Sequence, residues 1–62
     1  MSGQEIKALY ELEVTLVWND PVPIKGNDYT ITHLSEVNDE TALIQYGEGS
    51  EAEVFLSEIV KG

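Results

Sequence analysis

The sequence predicts an all-β fold, a small antiparallel barrel of four to five strands. Three observations lead there: short apolar-alternating runs recur along the chain, Gly-, Asn- and Asp-containing turns separate them, and one loop carries both prolines. At 62 residues the chain is one domain at most, and a chain of that size buries only about 60% of its unfolded surface. It has no cysteine and one histidine, so neither a disulfide nor a usual zinc site can staple it. Apolar packing must carry the fold.

Ile6, Ala8, Tyr10, Leu12, Val14, Leu16 and Trp18 share one parity, with Lys7, Glu11, Glu13 and Thr15 on the other, the pattern of a half-buried strand. The first part also suits a helical turn through Ile6, Leu9 and Tyr10. The strand is therefore placed at 10–18, and residues 1–9 are read as a flexible or accessory segment. Residues 19–28, NDPVPIKGND, form a long loop because Pro21 and Pro23 cannot join a ladder. Val22 and Ile24 are expected to tuck beneath it.

A second strand spans 29–37, with a bend or bulge near His33 to reconcile Tyr29 and Ile31 with the out-of-phase Leu34. Asn38, Asp39 and Glu40 turn into a third strand, 41–46, that sets Ala42, Ile44 and Tyr46 on one face. After the Gly47–Ser50 turn, a fourth strand, 51–56, points Ala52, Val54 and Leu56 inward and Glu51, Glu53 and Phe55 outward. Ser57, Glu58 and Ile59 read as a short helical turn, and Val60 and Lys61 as a brief closing strand. Closure hides strand edges, which favours an SH3-like barrel.

From Trp18 onward the spacing resembles the Tudor branch of that class. The matching features are a tryptophan closing the first strand, a tyrosine opening YTITHL, the Tyr46-Gly47 pair and the Leu56-Ser57-Glu58-Ile59 helical turn. The resemblance covers roughly the C-terminal two-thirds of the chain. Tudor domains hold methylated arginine or lysine in an aromatic cage, which implies Trp18, Tyr29 and Tyr46 as its walls. The sequence departs from that pattern twice: Leu43 stands where an aromatic is expected, and Glu48 where an asparagine is usual.

Twelve Asp and Glu against three Lys give a formal charge of −9. With only Lys7, Lys25 and Lys61 to neutralise phosphates, direct nucleic-acid binding is not expected. Anionic membranes are disfavoured for the same reason, and no stretch approaches the ~20 apolar residues of a membrane span. MSGQEIKALYELEV lacks the basic and apolar regions of an export signal, so the cytoplasm is the expected location.

His33 and Ser35 share a strand face, but nothing in the sequence marks an orienting carboxylate or an oxyanion hole, and no catalytic residue is assigned. Glu48, Glu51 and Glu53 match no metal-binding spacing and read as a solvated acidic edge. No cofactor is implied. The expected role is a non-catalytic interaction module with an acidic surface for a basic protein or peptide. Its binding residues are Trp18, Tyr29, Tyr46, Phe55, Glu48, Glu51 and Glu53. The alternatives are an acidic inhibitor that mimics nucleic acid and a small structural subunit of a larger assembly.

Titration with duplex or single-stranded oligonucleotides near physiological salt should show nothing tighter than the weak non-specific range of about 10⁻⁴ to 10⁻⁶ M. Sub-micromolar binding that survives added salt would contradict the argument from charge.

Overall fold

The chain begins as a helix, which corrects the expected strand over 10–18. The computed structural model describes residues 1–62 and places α1 at Gly3–Glu11, with β-structure starting only at β1, Leu16–Trp18. Ser2 and Glu5 form a complete capping box: Ser2 Oγ accepts from the Glu5 N–H, and Glu5 Oε1 accepts from the Ser2 N–H, both at 3.2 Å. Ile6, Leu9 and Tyr10 then fall on one helical face, and that face packs on the core, with Ile6 fully buried. Ile6 of this segment thus belongs to the core and Leu9 packs against it, while most of residues 1–9 is exposed. Leu12, at 73% exposure, falls outside that face.

α1 ends in a Schellman arrangement. The Glu13 N–H donates to Tyr10 O and the Val14 N–H to Leu9 O, both at 3.0 Å. That geometry puts Glu13 at φ 60°, a left-handed conformation usually filled by glycine. Glu36, φ 48°, is the other non-glycine residue there.

The remaining elements are β2 (Ile31–Ser35), β3 (Thr41–Tyr46), β4 (Ser50–Phe55), a 3₁₀ turn (Leu56–Glu58) and β5 (Ile59–Lys61). The protein is therefore predominantly β, in two antiparallel sheets: β2–β3–β4, and β1 paired with β5. A single bridge, Val17 to Thr30, joins β1 to the approach of β2. β4 and β5 follow one another through the 3₁₀ turn without pairing, so the strands do not form one closed ring. The second strand is shorter than 29–37. Its register slips between Ile31 and His33, leaving Thr32 as the extra residue of a bulge.

The β3–β4 hairpin turns through Gly47, Glu48 and Gly49, with Tyr46 paired to Ser50. Gly47 is required twice over: its φ is +57°, and a Cβ there would lie 2.7 Å from the Asp28 carbonyl oxygen. The β2–β3 turn is held by Asn38, whose Oδ1 accepts from the N–H groups of Glu40 and Thr41. The Glu40 carbonyl in turn accepts from the Leu56 N–H at 2.8 Å, tying this turn to the end of β4.

The core is Ile6, Leu16, Ile31, Ala42, Ile44, Val54, Leu56 and Ile59, with no polar residue among them. Val22 and Ile24 do not tuck under their loop but are 80% and 65% exposed. Hydrogen bonds hold this loop in place of apolar burial: the Val22 N–H donates to Asp20 Oδ1 and the Ile24 N–H to Tyr29 Oη.

If α1 completes the core, Ile6→Val should cost about 0.5–1.5 kcal/mol and Ile6→Ala about 2–5 kcal/mol in chemical denaturation. A neutral Ile6→Ala would detach the helix from the fold. In the same assay Glu13→Gly, by relieving the left-handed strain, should gain about 1 kcal/mol.

Candidate functional site

The structure divides the seven sequence-predicted binding residues between two places. Tyr46 continues the inward face of β3, shared with Ala42 and Ile44, and meets Trp18 and Tyr29 at that end of the core. Glu48 stands exposed in the adjoining turn. Glu51, Glu53 and Phe55 point the other way, onto the outer face of the three-stranded sheet, and all three are exposed. On that face they lie opposite Gln45, Leu43 and Thr41 of β3. Phe55 is thus outward, at 58% exposure, as its parity requires.

Trp18, Tyr29 and Tyr46 touch one another. Ring centroids lie 5.6 Å apart for Trp18–Tyr29 and 5.1 Å for Trp18–Tyr46, both edge-to-face, and 5.5 Å for the stacked Tyr29–Tyr46 pair. Each such contact adds about 0.5–1.5 kcal/mol beyond its buried area. A cation held between two ring faces needs carbon contacts of about 3.5–4.0 Å on both sides, hence faces about 7–8 Å apart. The stacked tyrosines leave no such gap. In this conformation a methylammonium does not fit between the faces of Tyr29 and Tyr46.

Polar contacts fix the cluster. The Trp18 indole N–H donates to Glu58 Oε1 at 3.1 Å, the Asn19 N–H to the Glu58 carbonyl at 2.7 Å, and the Trp18 N–H to the Tyr29 carbonyl at 3.0 Å. Tyr29 Oη, by accepting from Ile24, is engaged with the proline loop. Glu58 therefore positions Trp18 across 40 residues of chain, a pairing that no local pattern could indicate.

Beside the cluster lies a recess of about 340 Å³, the one surface cavity that reaches any of the three rings. Tyr46 lines it together with Asp28, Glu48, Asn27 and Ser50. Asp28 was not among the expected site residues. Its Oδ1 accepts from the Thr30 N–H at 2.9 Å, and the Asp-x-Thr spelling is the sequence signal that could have marked it. That backbone hydrogen bond holds its carboxyl below the ordinary carboxylate range. Its contribution to stability is therefore complete above about pH 4 and lost as pH falls through the lowered folded-state value. Two carboxylates and one aromatic ring thus line this one recess.

His33 is exposed, and its ring has one polar neighbour, Thr32 Oγ1 at 3.4 Å. No group of three His, Cys, Asp or Glu side chains converges as metal ligands.

Because the rings pack on the core, Trp18→Ala and Tyr46→Ala should each cost about 3 kcal/mol, the low end for a large ring since both are only partly buried. Phe55→Ala should stay within roughly 1 kcal/mol of the parent. Denaturation curves in the reverse order would show that the cluster is a solvent-lined cage and that the faces of β4 are inverted.

No family model, curated protein or solved structure matches the chain.

Proposed function

We propose that this chain is a non-catalytic interaction module that receives a basic segment of another protein, on the frame of an SH3-like barrel open between β4 and β5. The strand neighbours support that frame: β5 beside β1, β1 bridged to the start of β2, then β3 and β4, with a 3₁₀ turn leading into β5. The observation that carries the function is the recess where Asp28 and Glu48 flank Tyr46. A lysine or arginine head group there would meet two carboxylates and an aromatic surface within one concavity. The net charge of −9 would draw such a partner in from a distance, more strongly at low salt.

The Tudor resemblance fits this reading in frame and partner charge, but the recess differs from a methyl-reading cage. The rings stack on each other, and the walls are carboxylates. Carboxylates favour a head group that still has N–H donors to give, so an unmodified lysine or arginine is the better ligand.

The test is an amide-shift titration with short peptides carrying arginine, asymmetrically dimethylated arginine, lysine or trimethyl-lysine. Shifts should centre on Tyr46–Ser50 and Asp28, weaken with added salt and with Glu48→Gln, and be no stronger for methylated forms. Tighter binding of the methylated peptides would favour an opened cage. Absence of salt-dependent shifts at the recess would contradict the proposal.

A further inference from the structure

β2 is paired along one edge only. β3 takes that edge from Ile31 to Ser35, while the opposite edge meets the rest of the chain at a single point, the Val17–Thr30 bridge. Beyond Thr30, no strand other than β3 pairs with β2. In an antiparallel pair every second residue turns its N–H and C=O away from its partner strand. The Gly47 N–H to Thr30 carbonyl bond makes Ile31–Tyr46 a non-hydrogen-bonded pair, so past the Thr32 bulge it is Leu34, between the exposed His33 and Ser35, that turns its N–H and C=O outward.

Free edges are normally blocked by charge, proline or a covering element. β4 carries Glu51 and Glu53, and β5 carries Lys61. β2, Ile-Thr-His-Leu-Ser, contains no Asp, Glu, Lys or Pro; its one protective feature is the bulge at Thr32. It is also the strand with a channel beside it. Two cavities of about 390 and 420 Å³ meet at Tyr10 and Glu11 of α1: one reaches Thr30 and Ile31, the other Leu34, Ser35 and Val37. No cavity is lined by residues 51–60 of the β4 side.

The channel has a defined chemistry. Tyr10, Val14, Leu34 and Val37 supply its apolar surface, and Glu11, Glu13 and Glu36 its charge, against Lys7 as the one cation. We propose that this edge is a strand-addition site: an extended partner segment of alternating aliphatic and basic residues pairs with β2 in the channel between β2 and α1. Backbone hydrogen bonds to β2 would hold the segment. Its aliphatic side chains would lie on Tyr10 and Leu34, and its lysines or arginines would face the three glutamates. The inference rests on the basic-partner reading above and gives that partner a conformation and a second point of attachment.

The probe is an acetylated, amidated octapeptide of alternating valine and lysine, compared with the same peptide N-methylated on alternate amides. N-methylation removes strand hydrogen bonds but keeps charge and side chains. Expected are amide shifts at Thr32–Ser35 and Tyr10–Glu13, and binding at least ten-fold weaker for the N-methylated peptide. Glu36→Gly, which suits a residue at φ 48°, should preserve the fold while weakening the octapeptide several-fold. Equal binding of the N-methylated peptide would overturn the inference. Shifts confined to Tyr46–Ser50 and Asp28 would also overturn it while leaving the basic-partner reading intact. Absence of shifts at both places, for this peptide and for the lysine and arginine peptides above, would remove both.

Discussion

A core of eight aliphatic side chains, with no buried polar group to add direction, must be closed at both ends by something larger than itself. Two short sheets that do not join into a ring leave those ends open. α1 closes one, near the Thr41 end of β3, where Gly3 packs against Val37, Asn38 and Leu56 and Ile6 is fully buried. Trp18, Tyr29 and Tyr46 close the other, at the Tyr46 end. The polar details serve these two closures. The Ser2–Glu5 box starts the helix and the left-handed Glu13 stops it, while Glu58 fixes the indole and Gly47 lets the hairpin turn against Asp28. A domain of this size has stability of only several kcal/mol, on the order of 0.05–0.15 kcal/mol per residue, so neither closure is dispensable.

Function is left to the surfaces these closures do not use. The three rings pack against one another at the end of the core, so in the proposed reading a partner would meet their margin, where Asp28 and Glu48 stand beside Tyr46. At the other end α1 covers the core but stops short of the β2 edge, and the channel between them keeps both backbone groups and carboxylates exposed. Both surfaces carry the sign of the whole chain. With three lysines against twelve acids, long-range attraction and local contact select the same kind of partner, which makes the proposed binding steeply salt-dependent.

The C-terminal half was legible because period-two alternation and glycine turns there have one interpretation. β3, β4, the 3₁₀ turn and β5 fall within one residue of their expected limits, and the β2 bulge lies beside its expected position. The N-terminal half was not, because Ile6, Ala8, Tyr10 and Leu12 satisfy a strand's parity by coincidence while Ile6, Leu9 and Tyr10 satisfy a helix's face. The capping box Ser2-x-x-Glu5 decides between them, and it outweighs alternation because it satisfies backbone donors that the strand reading leaves to water. The exposed Val22 and Ile24 show a loop held by hydrogen bonds where apolar content suggested burial. At the candidate site, a meeting of the three aromatics was expected only as what the resemblance implied. Their mutual stacking, the Glu58 contact and the role of Asp28 depend on tertiary distances that parity does not encode.

Native-state amide hydrogen exchange tests the double closure most directly. If α1 is a wall of the core, the amide protons of Tyr10 and Leu12 must exchange through the same global opening as those of β3, with matching free energies and matching denaturant dependence. Exchange of the α1 amides through a separate opening, tens-fold or more faster than β3 and insensitive to denaturant, would show a β-core that stands without its helix and would contradict the account.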